Sequence, residues 1–230
     1  MLTIKLFNIN SYQVIDMLRE NLPQALNLDI HFYDCFLETK VEINNDEKAL
    51  KEGIISEFTL MFRDYIYALE DVSIYEMCSR YLDVRHKTIS IVELGSCGKI
   101  ISKLSRFYDA HKYIDEGYSL LSSNSISKYF DIDMKNLKDN NRVSLKNTLD
   151  ICSYMREHTM SDLVIVNMAV LEYYKNFSQS DVLQNKGTCF IAVGDREGIM
   201  TKKFNFGENI NEIIEGVAKM SCFLLINKLK

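Results

Sequence analysis

The segment "DLVIVNM" (162–168) constrains the fold more than any other part of the chain. Its apolar residues run on without polar alternation, so a strand built from it must be covered on both faces. Helices are the usual cover, which makes the surrounding region a layered α/β arrangement. The neighbouring segments supply the layers. A helix over 73–84 precedes the strand "TISIVE" (88–93), another helix starts near Ser96, and a strand follows at "DEGYSLL" (115–121). Short helical pieces (124–138) lead to "SLKNTLDICSYMREH" (144–158), a capped amphipathic helix. "GTCFIAV" (187–193) and "IMTKKFNF" (199–206) flank the hairpin turn "GDREG", and a helix over 209–229 closes the chain. The sheet predicted for this part is mixed.

The first part follows a different pattern. "LTIKLF" (2–7) alternates as a half-buried strand, and "SYQVIDMLRENL" (11–22) has helical apolar spacing with Ser11 as N-cap. "DIHFYD" (29–34) and "ETKVEIN" (38–44) form a strand pair around a short turn. "DEKALKEGIISEFTLMFRDYIY" (46–67) reads as one long helix with acidic residues in its first turn and Ile54, Phe58 and Phe62 on one side. "RDYIYALED" is then a helix end joining two domains. The division is a small α+β domain over 1–72 and an α/β domain over 73–230.

Composition narrows the function classes. The chain of 230 residues is 47% hydrophobic and 26% charged, with a net charge of −5, so whole-molecule attraction to nucleic acid or an anionic membrane is not indicated. Lys and Arg are dispersed, and no apolar run reaches the ~18 residues of a membrane span. Nothing near Met1 reads as an export signal. The six cysteines (Cys35, Cys78, Cys97, Cys152, Cys189, Cys222) form no CxxC pair and read as free thiols of a cytoplasmic protein. The four histidines are scattered, so no metal site and no cofactor are expected.

One stretch invites a catalytic reading. "IVELGSCGKIISKLS" (91–105) passes from strand through a turn into a helix, with Ser96 and Cys97 side by side. A thiol at a helix N-terminus can have a lowered pKa, and His111, Lys99 and Lys128 are loose candidates for a partner. The plainer reading has Ser96 capping the helix and Cys97 packing as a small hydrophobe. Glu93 ends a strand where layered α/β folds place ligands, and it either binds one or caps backbone donors. Glu93, Ser96, Cys97 and Gly98 are the candidate ligand-binding residues; no catalytic residue is assigned.

The order of these segments resembles the CinA (competence/damage-inducible) family over nearly the whole chain. Segment 86–230 is similar to the family's C-terminal nicotinamide mononucleotide deamidase domain, whose strand ends in A-E-S-C-T-G-G. Glu93, Gly98, Leu104, Gly117 and Ser122 fall in register with it, and "GTCFIAVGDREG" matches its closing hairpin. Residues 1–75 resemble the KH-like domain that precedes it, through "IKLFNINSYQVIDML" and "RDYIYALEDVSIYEM". The resemblance implies a three-layer α/β/α domain with a mixed sheet, preceded by a small α+β KH-like domain. Met1 aligns with the strand that follows the family's molybdopterin-binding-like domain, which the family associates with ADP-ribose hydrolysis.

The departures lie at the chemistry. In the family, a Ser after the Glu is the nucleophile, assisted by a Tyr and a Lys from Y-S-N-x-x-K. Counting without gaps, those positions hold Leu94, Leu121 and Ile126. At the V-T-G-I-A-G-P strand end, Met168 and Ala169 replace Thr and Gly, and the loop has become "LEYYKNFSQS". Amide hydrolysis needs a nucleophile, a base and oxyanion donors, and Leu and Ile supply none of these. Sliding the motif by two residues puts Ser96-Cys97 on the family's Ser-Cys but takes Glu93, Ile100 and Leu104 out of register. The reading is therefore a CinA-related protein without deamidase activity, acting as a binding, regulatory or assembly module. The alternative is an amidohydrolase acting on a pyridine-nucleotide-like amide through Ser96 or Cys97. The expected partners are a second copy in a homodimer and a nucleotide-like small molecule. The turn "NINS" (8–11) lacks the GxxG clamp of KH domains, so RNA binding is not expected.

Overall fold

The computed structural model describes residues 1–44, 48–137, 142–171 and 186–230. The described residues form two compact units, Met1–Met77 and Cys78–Lys230, which divide within one helix.

In the first unit, β1 (Leu2–Phe7), α1 (Ser11–Asn21), β2 (Ile30–Cys35), β3 (Glu38–Ile43), α2 (Lys48–Met61) and β4 (Ile66–Ala68) follow one another. The sheet is antiparallel in the order β2-β3-β1-β4. Ile4, Leu6, Val41 and Ile43 alternate onto its inner face and meet Val14 and Leu18 of α1 and Phe58 and Phe62 of the α2 region. Ile54, Phe58 and Phe62 are all buried, as their spacing predicts.

Two local expectations are corrected. The N-cap of α1 is Asn10, whose side chain accepts from the Gln13 amide while the Gln13 side chain accepts from the Asn10 amide, a reciprocal capping box. Ser11 turns away to Asp34, giving that carboxylate its amide at 2.9 Å and its hydroxyl at 2.5 Å. The second correction concerns 46–67. Helix α2 stops at Met61, the chain turns, and Ile66–Ala68 becomes β4 along the outer edge of β1. All three β4 residues are buried, and pairing with β1 satisfies backbone groups that another helical turn would have left that edge without. "RDYIYALED" is thus a strand with its flanking turns. The acidic residues expected in the first turn of the helix, Asp46 and Glu47, lie outside the described residues.

The second unit follows α3 (Ile74–Val84), which bridges the division. Its elements are β5 (Ile89–Leu94), α4 (Lys99–Leu104), β6 (Ile114–Ser119), α5 (Ser123–Phe130), α6 (Leu145–His158), β7 (Leu163–Ala169), β8 (Thr188–Gly194), β9 (Ile199–Asn205) and α7 (Ile210–Leu229). Their sheet has the order β6-β5-β7-β8-β9. Strands β6, β5 and β7 are parallel, whereas β7, β8 and β9 are antiparallel, which makes it the mixed sheet that was expected. All seven β7 residues are buried because the sheet is covered on both faces. Ile126 and Phe130 of α5 and Ile151 and Met155 of α6 pack on one face; α7 covers β7 and β8 on the other and also packs against α4. Ser144 caps α6 as its sequence implies, and Asp195 ties the β8–β9 turn by accepting from the amides of Glu197 and Gly198.

Candidate functional site

The C-terminal ends of β5 and β7 place Glu93 beside Asn167 and Leu94 beside Met168. Neighbouring residues in register share a face of the sheet, so the polar pair and the apolar pair point to opposite layers. Leu94 and Met168 join Val92, Ile126, Phe130 and Met155 in one buried apolar cluster. Glu93 and Asn167 face the other way and are wholly buried.

The polar pair clasps the loop between β5 and α4. The Ser96 hydroxyl donates to Glu93 Oε2 at 2.5 Å, and the amides of Ile100 and Ile101 donate to the same carboxylate at 2.9 and 2.8 Å. Asn167 completes the arrangement: its Oδ1 accepts from the amides of Gly95 and Ser96, both at 3.0 Å, and its Nδ2 donates to Ser96 Oγ at 2.8 Å. Glu93 is therefore the group that caps α4, satisfying orphan N–H donors of the first turn. Of the two roles open to it from sequence, backbone capping is the one this geometry displays.

The other residues fall out differently from their predicted roles. Helix α4 begins at Lys99 and not near Ser96, because Cys97 (φ 54°) and Gly98 (φ 80°) are both left-handed. Ser96 is not its N-cap; Gly98 occupies that position without a side-chain bond. Cys97 does not pack as a small hydrophobe but is exposed. Partial desolvation, with the nearby charge of Glu93, pushes its thiol above the ordinary range, opposite to the shift that activates a thiol. Among the described residues, none of the three candidate partners brings its side chain to the Ser96 hydroxyl or the Cys97 thiol; the Lys99 amide donates only to the Ser96 carbonyl, at 3.0 Å. Lys99 pairs with Glu215 of α7, Lys128 lies over the Tyr129 ring, and His111 is on an exposed turn. Burial pushes Cys152 and Cys189 up to about 12, which keeps those thiols protonated. Leu121 is 60% exposed and lies apart from the cluster that holds Leu94 and Ile126. Most of the loop "LEYYKNFSQS" lies outside the described residues. A charged cleft of about 490 Å³ opens between Arg85, Lys87, Asp162, Asp195 and Lys228, at the opposite ends of β5 and β7 from Glu93.

Asn167 was not singled out from the sequence. The signal was available: it is the one amide inside an otherwise apolar strand, and a buried polar side chain there must have partners.

Glu93 also sets a pH response. Burial raises its pKa above the usual 4.5, against the pull of its hydroxyl and amide donors. A carboxylate raised on folding binds protons more tightly in the folded state, so its contribution is largest near and below pH 4.5. That contribution falls as pH rises to the folded value and then levels off. The stability difference between the native chain and Glu93→Gln, followed by urea unfolding, is expected to decline over that window and stay flat above it.

The mixed five-stranded sheet between helical layers, with a tight loop at the end of its central parallel strand, defines a layered α/β domain, a fold shared with solved structures of competence/damage-inducible proteins. Three solved chains carry the likeness. A competence or damage-inducible protein from Enterobacter asburiae aligns with a TM-score of 0.58 at 15% identity, covering 70% of this chain and all of that one. A CinA superfamily protein from Klebsiella pneumoniae gives 0.59 at 16%, over 69% and 98%. A protein from Agrobacterium tumefaciens gives 0.59 at 14%, over 68% and 96%. In sequence, competence-damage inducible proteins of two Streptococcus pneumoniae strains, CGSP14 and JJA, are each 22% identical over 241 aligned positions, 98% of this chain. The chain is thus similar to CinA proteins in sequence over nearly its whole length and in the fold of its larger part. The chain spans 56% of the length of those curated relatives. No family model matches it. Among the described residues, no helix is long and apolar enough to cross a membrane.

Proposed function

We propose that this CinA-related chain keeps the family's fold without its deamidase chemistry and acts as a binding, regulatory or assembly module. The observation that carries the reading is Leu94. The resemblance puts the nucleophile there, and the side chain is 2% exposed inside the apolar cluster with Ile126 and Met168. A nucleophile must reach its substrate with a base beside it, and a buried Leu among apolar neighbours meets neither condition. The Ser96 hydroxyl, two residues on, is wholly buried and shared between Glu93 and Asn167. Cys97 is exposed, has a raised pKa and, among the described residues, has no base or cation bonded to its thiol.

The ligand this reading favours is a nucleotide-like small molecule and the assembly a homodimer; sedimentation tests the second. The first is tested with nicotinamide mononucleotide itself. Incubation with stoichiometric protein is expected to yield no nicotinic acid mononucleotide above a protein-free control. Conversion that persists in Cys97→Ala but is lost in Leu94→Ala would contradict the proposal. Conversion lost in Cys97→Ala or Ser96→Ala would instead establish the displaced-nucleophile amidohydrolase.

A further inference from the structure

The free strand edges of the chain differ in how they are guarded. In the second unit, β6 carries Asp115 and Glu116 and β9 carries Lys202 and Lys203, charges that keep an edge from pairing with another chain. In the first unit, β4 is three residues long. Strand β2 has neither device: it pairs with β3 without a bulge and contains no Lys, Arg, Glu or Pro. Its one carboxylate, Asp34, is engaged by Ser11 and Thr39. The register fixes which backbone groups this edge presents. The Asn44 amide donates to the Asp29 carbonyl at 2.8 Å, so that pair is hydrogen-bonded, and so is every second pair along the ladder. His31, Tyr33 and Cys35 therefore bond to β3, and Ile30, Phe32 and Asp34 turn their N–H and C=O groups to the open side. Among the described residues, no partner meets those three amides.

We infer that a second copy of this chain occupies the edge, β2 pairing antiparallel with β2 across a two-fold axis so that the two sheets become one. The inference rests on the homodimer reading above and names its surface. Bonded and non-bonded pairs alternate along an antiparallel ladder, and a two-fold axis must carry one pair onto itself, so one residue faces its own copy. With Phe32 at that centre, all three outward residues are paired. Phe32 meets Phe32 of the second copy and Ile30 meets Asp34 of the second copy, each pair exchanging two hydrogen bonds. Centring on Ile30, His31 or Tyr33 leaves at least one outward residue with no partner in β2, and centring on Asp34 opposes two carboxylates.

Charge favours the same register. On the outer face of the sheet, His31 comes opposite Tyr33 of the second copy, a close non-bonded pair. His31 pairs with Asp29 at 3.0 Å and stands beside Glu42, whereas the Lys40 ammonium lies over the Tyr33 ring, 4.7 Å from its centre. The antiparallel arrangement thus sets the acidic end of each edge against the lysine end of the other. So short an edge buries less than the ~1,000 Å² of a stable interface, so the dimer is weak and depends on concentration.

The test follows the full chain by sedimentation and amide hydrogen exchange over a range of concentrations. The Ile30, Phe32 and Asp34 amides are expected to exchange fast in the dilute monomer and to gain protection as the dimer forms. The His31 and Tyr33 amides, bonded to β3, are expected to stay protected throughout and report that the sheet is folded. His31→Glu/Tyr33→Glu, at two exposed positions, opposes like charges twice across the axis and is expected to weaken association about tenfold. His31→Lys/Tyr33→Glu makes both pairs attractive and is expected to restore it. A dimer whose Ile30, Phe32 and Asp34 amides stay unprotected overturns this surface and leaves the homodimer standing, whereas a chain monomeric at every concentration overturns both. Protection already complete in the dilute monomer would mean that the chain covers its own edge, and overturns the inference. Association unchanged in the double-glutamate variant, or not regained in the lysine–glutamate one, overturns it equally.

Discussion

Asn167→Ala is expected to lower the stability of the chain by about 3–5 kcal/mol. The substitution deletes the acceptor for the Gly95 and Ser96 amides and the donor to Ser96 Oγ, all within a fully buried site. Leaving one buried donor unsatisfied costs about 1–3 kcal/mol, and two amides lose their partner at once. Thermal unfolding should report a fall of roughly 10 °C at this chain length. Asn167→Asp separates the hydrogen-bond account from a simple loss of volume. It keeps the acceptor but sets a second carboxylate against Ser96 and Glu93, so at neutral pH it is expected to be destabilised as well. Two carboxylates sharing one buried hydroxyl raise each other's pKa, and the defect is expected to shrink as pH falls. An Asn167→Ala chain as stable as the native one, or an Asn167→Asp defect that grows in acid, contradicts the clasp.

Gly95→Ala is expected to cost about 3 kcal/mol for a different reason. A Cβ at this position would stand 2.7 Å from the Ala169 backbone nitrogen, 2.8 Å from the Ala169 Cβ and 2.9 Å from the Met168 carbonyl carbon. Those are strand atoms, and Met168 and Ala169 are themselves held in register by β8. Flexible side-chain ends can move aside, whereas a paired strand cannot move without losing ladder bonds. Gly53→Ala provides the contrast. That glycine is exposed on α2 with open space at its Cβ, and a mid-helix alanine is expected to stabilise by about 0.5–1 kcal/mol. Equal effects at both positions in chemical unfolding would show that backbone entropy, not close approach, governs position 95.

Much of the second unit was legible because its signals are strong. An unbroken apolar run gave β7, the Gly-flanked "GDREG" gave the hairpin, and Ser144 gave the start of α6. The errors have local physical causes. Helical spacing ran on from Phe62 into Tyr65 and Tyr67, but the open edge of β1 recruited Ile66–Ala68 as a strand. Ser11 and Asn10 are both good caps, and the choice was made by Asp34, which arrives from a distant strand to take the Ser11 amide and hydroxyl. The same holds at the candidate site. Glu93 and the apolar Leu94 were visible in sequence, but Asn167 enters only through the β5–β7 register, which one-dimensional spacing does not contain. Cys97 looked like a core residue by type, and the left-handed turn at 97–98 turned it outward.

The relation between Leu94 and Glu93 gives the site its meaning. Adjacent strand residues face opposite layers, and here the position that the CinA resemblance assigns to a nucleophile faces apolar packing. The position assigned to Glu faces a ring of hydrogen bonds that ends on backbone and buried side chains. Among the described residues, the polar groups of the strand end are committed to folding the loop, and Cys97 stands exposed beside them.

Amide hydrogen exchange at Gly95, Ser96, Ile100 and Ile101, with and without nicotinamide mononucleotide, tests this account most directly. The account predicts slow exchange at all four, unchanged by the nucleotide and lost together in Asn167→Ala. Fast exchange at these amides in the free chain, or protection that appears only when the nucleotide is added, would mean that Glu93 and Asn167 are held for a ligand and not for the loop.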